Sequence, residues 1–408
     1  MSDRPPRVYL DHAATSWPKS PGVAEAMTAY LTNVGATASR GGYASARQAN
    51  QLVSEMRSKV AALIGVGEIQ ATIPGCITFH GGCTLAIHAA LDGIELAGAV
   101  ETGSGDNRFH VVTSAAEHNA VIRTLHSRCR REHGDLTVVP TNEHGQVDAE
   151  AMAAAIRPAT RLVACTHASN VTGAIQPIEQ IGRRISDLNQ YREPNKSIAF
   201  FCDAAQTIGY LPIDVLQSNI DLLVAPAHKG LGGPPGIAFL FSAPGCHDRL
   251  MPVVRGGTGG DGRSWSMPQS MPMKLEPGTM NLPALAGFRA ALNELNESPP
   301  LASEAAWLHQ QLENVEGLRV IGVPGPLPLA SIDFGPHLMP QDAAAILDLE
   351  FGIEVRSGFH CAGAIHDCLG TANAGTVRIS GGHRTNRSDY QAVCDAVSEI
   401  NASIRILP

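Results

Sequence analysis

Two kinds of hydrophobic pattern alternate along the first 250 residues of the chain. Several short runs are apolar throughout, which is typical of strands buried on both faces of a sheet. Longer segments between most of them place apolar residues three or four apart, as amphipathic helices do. We therefore predict an α/β fold with a mainly parallel, seven-stranded sheet. The predicted strands are residues 76–80, 109–113, 136–140, 161–166, 198–202, 221–226 and 237–241.

The helical segments in this part of the chain keep their apolar residues on one stripe. Leu52, Met56 and Val60, for example, recur at helical spacing within the segment 47–64. Because helices alternate with parallel strands, we expect ligands outside the carboxyl ends of the strands. The predicted helices up to residue 190 are 20–33, 47–64, 84–97, 117–131, 148–156 and 177–190.

The pattern changes between residues 251 and 285, where Gly, Pro and Met are frequent. This composition predicts an irregular connection between domains. We predict a large domain at 21–285, a smaller C-terminal α/β domain at 286–408, and an N-terminal segment 1–20 that packs with the smaller domain. Within the smaller domain we predict helices at 286–296, 303–315, 340–349 and 387–402 and strands at 329–334, 353–356 and 376–380.

Composition narrows the class of protein. The 408 residues carry a net charge of −8 with both signs interspersed, which argues against nucleic acid or an anionic membrane as the main partner. No apolar run approaches the roughly 20 residues that cross a bilayer, and the N-terminus lacks a hydrophobic signal region. The nine cysteines are scattered without a repeating spacing, which predicts free thiols in a reducing cytoplasm. We predict no metal site.

The segment "DLLVAPAHKGLGGPPG" places Lys229 after a predicted strand and before a Gly/Pro-rich turn, with His228 beside it. Burial and neighbouring cations would lower the pKa of such a lysine and expose a free amine suited to a Schiff base. The alternative is a surface lysine in a loop, where most lysines lie.

The segment "FFCDAAQTIG" places Asp203 after another predicted strand and Gln206 three residues later. A carboxylate there would keep a pyridinium nitrogen protonated, which makes pyridoxal phosphate (PLP) an electron sink. Gln206 would reach the phenolic oxygen of this cofactor. The alternative is that Asp203 caps a helix.

Three further stretches contain candidate binding residues. In "TFHGGCTLAIH" the amides of Cys83 and Thr84 would point at a phosphate from a helix N-terminus, although Gly-rich turns before helices are common. His118 would stack on the cofactor ring, or is a packed or capping residue. Asn170 would bond the phenolic oxygen or a substrate carboxylate, or is a turn former.

Together these stretches resemble the PLP-dependent class V aminotransferase family of fold type I. Within it they are most similar to the NifS-like cysteine desulfurases and selenocysteine lyases. The resemblance covers nearly the whole chain, in the order of the family. It rests on "VYLDHAATSWPKSPGV", "SRGGYASAR", "EHNAVIRTL", "SNVTGAIQPI", "DAAQTIG", "HKGLGGPPG", "LEPGTMNLPALAG", "VRSGFHCAGAIHDCLGT" and "GTVRIS".

The resemblance implies a role for each candidate residue. Lys229 would hold the cofactor covalently and His118 would stack on its ring. Asp203 would pair with the pyridine nitrogen, and Arg378 would grip the substrate carboxylate. The phosphate would be held by Cys83, Thr84 and His228, the phenolic oxygen would be approached by Gln206 and Asn170, and Thr258 of "RGGTGG" would reach the phosphate of the partner subunit in a homodimer.

Cys361 matches the sulfur-accepting cysteine of this family, in a short loop like that of the Suf-type, group II enzymes. Arg356 and His360 would supply positive surroundings that favour the thiolate. The alternative is a small packed cysteine. Cys368, close by, matches no functional position of the family, and we predict that it is structural.

The resemblance implies an L-cysteine desulfurase that passes sulfur to an acceptor protein. The chain departs from the family pattern at His12, Leu85 and His88, which leaves the substrate and the acceptor open. Another class V activity remains an alternative: an aminotransferase, an epimerase, a selenocysteine lyase or a C–S lyase. A catalytically silent scaffold is the alternative from a different class.

Overall fold

The structure is a computed structural model, which describes residues 7–38, 41–66, 76–96, 109–257, 263–295 and 301–406. The strands are β1 (Val8–Tyr9), β2 (Ile77–His80), β3 (His110–Ser114), β4 (Asp135–Val139), β5 (Thr160–Thr166), β6 (Ala199–Asp203), β7 (Leu222–Pro226), β8 (Ala238–Ser242), β9 (Arg319–Ile321), β10 (Leu329–Asp333), β11 (Ile353–Glu354), β12 (Arg356–Gly358) and β13 (Thr376–Ser380). The α-helices are Pro21–Asn33, Ala44–Leu63, Cys83–Leu91, Asn119–Arg131, Ala149–Ala154, Ile178–Asn189, Leu282–Leu295, Ala302–Glu313, Pro340–Phe351, Ile365–Leu369 and Arg387–Ile406.

The central sheet has seven strands in the order β2-β8-β7-β6-β5-β3-β4. All seven predicted strands of the large sheet are present, and the sheet is mainly parallel as predicted. β8 alone runs antiparallel to both of its neighbours, β2 and β7. The fold class read from the hydrophobic pattern is thereby confirmed.

Alternate residues of the central strands enter different hydrophobic cores, which explains why these strands are apolar throughout. In β6, Phe200 and Cys202 pack in the core on one face of the sheet. Ala199 and Phe201 pack in the core on the other face. Helices cover both faces, so neither face of the strand contacts water.

The second sheet is antiparallel and has the order β12-β13-β10-β9. β1 of the N-terminal segment pairs in parallel with β11, and Asp11 bridges to Ser380 at the end of β13. The segment before the first helix thus lies against strands from the last quarter of the chain.

The helix Leu282–Leu295 runs straight through position 285, where the domain boundary was predicted. Its residues Leu285 and Phe288 pack in the same core as the large sheet. We therefore propose that the division between the domains falls after Leu295.

Some local predictions were wrong in extent. The helix predicted at 84–97 ends at Leu91, and Ile94 forms a bridge with Leu250 instead. Gly93 lies so close to the carbonyl of Ala89 that a side chain would not fit there. The short strand β9 and the helix Ile365–Leu369 carry too few residues for a visible period, and were not predicted.

Candidate active site

The carboxyl ends of the parallel strands bring distant parts of the chain to one cavity. Asp203 is the last residue of β6, and Lys229 follows β7, the neighbouring strand. The residues from the sequence-predicted site that line this cavity are Cys83, Thr84, His118, Asn170, Asp203, Gln206 and Lys229.

Burial lowers the pKa of the Lys229 amine. The negative charge of Asp203 acts in the opposite direction, and the guanidinium groups of Arg378 and Arg356 add to the lowering. The net result is a pKa below the usual value of a lysine, so the free amine forms more readily than on an exposed lysine. The alternative of a solvent-exposed loop lysine does not hold, because Lys229 lines the cavity and is only partly accessible.

Asp203 is buried at the bottom of the same cavity, with 4% of its surface exposed. Its Oδ1 accepts a hydrogen bond from the backbone N–H of Ala205 at 2.9 Å. The residues that follow form turns and not a helix, so Asp203 caps no helix. Its charge also favours the protonated form of His118.

His118 both caps a helix and lines the cavity. Its Nδ1 accepts a hydrogen bond from the backbone N–H of Ala120 at 3.0 Å, at the start of the helix Asn119–Arg131. Burial lowers its pKa, which the charge of Asp203 partly opposes. A neutral His118 with Nδ1 as acceptor carries its proton on Nε2.

The helix Cys83–Leu91 begins at the cavity, directly after Gly82. Its first backbone N–H groups, those of Cys83 and Thr84, have no partner within the helix, which makes this end suited to an anion. The side chain of Cys83 also lines the cavity, where sequence reasoning gave a role only to its backbone. Burial and the charge of Asp203 raise the pKa of this thiol, so it is neutral.

The two side-chain amides predicted to reach the cofactor also hold the backbone. Gln206 Nε2 donates to the carbonyl of Ala13 at 3.1 Å. Asn170 Nδ2 donates to the carbonyl of His360 at 2.5 Å. Each amide nitrogen carries a second N–H, which is free to act in the cavity.

His228 lies against the N-terminal segment and is not among the residues that line the cavity. Its Nδ1 is 3.0 Å from the hydroxyl of Thr15, and its carbonyl accepts from Lys19 Nζ at 2.6 Å. Burial lowers the pKa of His228 to about 4, so the ring is neutral. These contacts, which were not predicted, fix the backbone immediately before Lys229.

Arg378 on β13 is almost completely buried, with 1% of its surface exposed. Its Nη2 contacts Asp11 Oδ1 at 2.6 Å, and its Nη1 donates to the carbonyl of Asn170 at 3.0 Å. Its Nε has no hydrogen-bond partner among the described residues. Sequence reasoning missed Asp11, because its partner lies more than 360 residues away.

Cys361 lies in a loop whose backbone is left-handed at two successive residues. The φ angles of His360 and Cys361 are 49° and 58°. Such a conformation costs about 1–2 kcal/mol per residue for side chains other than glycine. Hydrogen bonds hold the loop in place: the backbone N–H of Asn119 donates to the carbonyl of Cys361 at 2.6 Å, and Asn170 holds His360.

The positive surroundings of Cys361 come from one of the two predicted residues. Arg356 Nη2 is 3.1 Å from Cys361 Sγ. His360 instead points its Nε2 at Thr376 on β13, and burial lowers its pKa to about 2. His360 is therefore neutral, and the prediction that it adds positive charge to the thiol was wrong.

Cys361 lines a second, more open cavity that adjoins the first. Thr84 and His118 line both cavities. The exposed Arg123 also lines the second cavity and acts against a positive charge on His118. The thiol therefore stands next to the cavity of Lys229 and within reach of solvent.

The remaining predicted positions lie elsewhere. Thr258 falls outside the described residues. Cys368 is a half-buried residue of the helix Ile365–Leu369. Among the departures from the family pattern, His12 is buried beside Thr385, Leu85 is exposed, and His88 pairs with Asp92.

Comparison with known proteins identifies the family. The class-V aminotransferase model matches residues 8–393 of this chain. The chain belongs to the class V aminotransferase family. A probable cysteine desulfurase of Methanothermobacter thermautotrophicus is 30% identical, over 96% of this chain and 94% of that protein. A selenocysteine lyase of Bos taurus is 31% identical, over 72% of this chain and 65% of that protein.

Solved structures share the class V fold over nearly the full length of the chain. The cysteine desulfurase CsdA of Escherichia coli, in an S-sulfonic acid form, has a TM-score of 0.80 and 26% identity, and covers 98% of this chain and 95% of its own. The apo cysteine desulfurase of Thermococcus onnurineus has a TM-score of 0.83, with 97% and 95% covered, and at 24% identity it supports the fold alone.

Metal sites and membrane-spanning helices are two further features that bear on the function of this class V protein. Within the described residues, no group of three or more His, Cys, Asp or Glu side chains is placed to hold a metal ion. In the same parts of the chain, no helix is both long and apolar enough to cross a membrane.

Proposed function

We propose that this protein is a PLP-dependent L-cysteine desulfurase that carries sulfur as a persulfide on Cys361. The observation that carries the proposal is the position of Cys361. Its sulfur contacts a guanidinium group at 3.1 Å, and its cavity adjoins the cavity of Lys229. A packed, structural cysteine needs neither feature.

The residues of the first cavity fit PLP by their chemistry. A helix N-terminus suits its phosphate, the buried carboxylate of Asp203 suits a protonated pyridine nitrogen, and the amine of Lys229 suits its aldehyde. His118 would lie against the ring, while the second N–H of Asn170 or Gln206 would approach the phenolic oxygen. When bound, PLP supplies an electron sink for the carbanion formed at the substrate Cα.

Side chains of the protein perform the remaining steps. Arg378 binds the substrate carboxylate, with Asp11 fixing the orientation of its guanidinium group. The amine of Lys229 takes the proton from Cα in its free form, which burial makes more accessible by lowering the pKa of this group. The hydrogen bond that His118 Nδ1 accepts leaves the proton of the neutral ring on Nε2.

Cys361 performs the sulfur transfer. Its thiolate, held by Arg356, attacks the substrate sulfur, so that an S–S bond forms while the Cβ–S bond breaks. The electron pair of the broken bond stays with the three-carbon product, which takes up protons and leaves as alanine. The sulfur remains on Cys361 as a persulfide, ready for an acceptor thiol.

The proposal also covers the oligomeric state, the sulfur acceptor and the cellular compartment. An exposed apolar surface of Leu85, Val253, Val254 and Met273 supports a homodimer. The partner in sulfur transfer is an acceptor protein, and the compartment is the cytoplasm.

The direct test is to incubate the PLP-loaded protein with L-cysteine and to measure alanine together with persulfide on the peptide that contains Cys361. We expect equal amounts of both in the first turnover. Alanine without any persulfide on Cys361 would assign the sulfur step to another group. Formation of pyruvate would favour a C–S lyase instead. Formation of the keto acid that retains the sulfur would favour an aminotransferase.

A further inference from the structure

Glu117, next to His118, is a completely buried acid whose two oxygens have different surroundings. Its Oε1 accepts hydrogen bonds from Ser114 Oγ at 2.6 Å and from the backbone N–H of Thr166 at 2.8 Å. Its Oε2 has no hydrogen-bond partner among the described residues, and the residue is fully buried. Burying a charged carboxylate with an unpartnered oxygen costs much more than burying the neutral acid.

Among the residues that the structure describes, no positive charge is found to act on Glu117. The titratable groups that interact electrostatically with Glu117 are Asp203 on β6, Cys202 on the same strand and Cys165 on β5. Burial keeps both thiols neutral by raising their pKa values. In the described parts of the chain, the charged group that acts on Glu117 is thus an anion, Asp203.

The position of Glu117 connects it to both halves of the site. It bonds to Ser114 at the end of β3 and to Thr166 at the end of β5. The next residue is His118, and the one after it, Asn119, donates its backbone N–H to Cys361. A shift of Glu117 would therefore move the imidazole at the cavity and a contact of the Cys361 loop together.

We propose that Glu117 is a positioning residue that acts as a neutral acid: protonated on Oε2, it ties the ends of β3 and β5 together, holds His118 and Asn119 in place, and adds no second negative charge beside Asp203. The positioning of the catalytic groups rests on the proposed function, whereas the neutral state of Glu117 does not.

The proton on Glu117 has a measurable consequence. Burial raises the pKa of Glu117 to about 7, the hydrogen bonds from Ser114 and Thr166 oppose the rise, and the charge of Asp203 adds to it. The folded pKa is thus above the unfolded one. Stability from this group is complete below the unfolded pKa of about 4.5, and is lost as the pH rises through about 7.

The test compares melting temperatures of the cofactor-free protein and of Glu117→Gln between pH 5 and pH 8. Glutamine keeps an oxygen for Ser114 and Thr166 but does not ionise. We expect the melting temperature of the variant, measured relative to that of the wild type, to rise by on the order of 3 °C between pH 5 and pH 8. Glu304→Gln is the matched control, because hydrogen bonding to Arg387 lowers the pKa of Glu304. The difference in melting temperature between this variant and the wild type should therefore not change with pH above pH 5.

A difference for Glu117→Gln that is independent of pH would overturn the neutral-acid proposal. Ser114→Ala provides a second variant if glutamine prevents folding. It removes a hydrogen bond that favours the charged form, so the pH-dependent loss of stability should move to higher pH. A loss that stays at the wild-type pH would also count against the proposal.

The positioning role is tested in the PLP-loaded protein with L-cysteine. We expect Glu117→Ala to lower kcat about tenfold with a smaller change in KM, and Glu117→Gln to recover most of the loss. Equal rates for the alanine variant and the wild type, or equal losses in both variants, would refute it. If the protein lacks desulfurase activity altogether, the melting experiment still decides the state of Glu117.

Discussion

The two halves of the candidate site differ in how their chemical groups are held. Asp203 and Lys229 stand at the ends of neighbouring parallel strands, in the interior of the large sheet. Cys361 stands in a loop with left-handed backbone, beside a cavity that opens to solvent. The first half is fixed by the sheet, whereas the second depends on a few hydrogen bonds.

This difference suits the different tasks that we propose for the two halves. A cofactor and a proton-transfer amine need constant geometry, which strand ends provide. A thiol that takes sulfur from one partner and passes it to another needs access to both. The loop provides access, and its contacts with Asn119 and Asn170 keep the thiol near the fixed half.

The largest effect is expected from the fixed half. Lys229→Ala should lower alanine formation by at least about 1,000-fold, because both the covalent attachment and the base are lost. The visible absorption of the lysine-bound cofactor should disappear as well. Borohydride reduction and peptide mapping check the assignment, which is wrong if a different lysine carries the label.

The thiol of the loop should come next. Cys361→Ser should bind PLP and L-cysteine but release alanine about 100-fold more slowly or worse, since an alcohol attacks sulfur poorly. Cys368→Ser is the control and should retain most of the activity. Unchanged turnover of L-cysteine by the first variant would return Cys361 to a packing role and leave the class V assignment intact.

The guanidinium beside the thiol should have an intermediate effect. Arg356→Ala removes the hydrogen-bond donor 3.1 Å from Sγ, and we expect persulfide formation to slow by about 10- to 100-fold. Arg356→Lys keeps the positive charge but changes the geometry of the donor. Its rate of persulfide formation should lie between those of the wild type and of Arg356→Ala. Single-turnover labelling of the persulfide measures this step, and equal rates for all three proteins would dismiss the contact.

The smallest effect is expected at His360, which the structure places in a neutral state. His360→Gln keeps a donor for Thr376, and its rate of persulfide formation should remain within about threefold of the wild type. A loss as large as that of Arg356→Ala would mean that a charge on His360 supports the thiolate after all.

Local patterns were sufficient for the large sheet and for the groups that follow its strands. Apolar runs of five or six residues marked the strands. Asp203 comes directly after one of them, and Lys229 comes three residues after another. These features depend on neighbours in sequence, so a single sequence contains them. The chain's membership of the class V family, read from ordered motifs, was confirmed by the family match.

Only the tertiary structure decided how the groups act on one another. Asp11 meets Arg378 across 367 positions, and Asn170 meets His360 across 190. Burial, which makes His360 neutral and raises the pKa of Glu117, is a property of the packed chain. Desolvation and charge depend on distances in space, and the sequence around a histidine or a glutamate does not contain those distances.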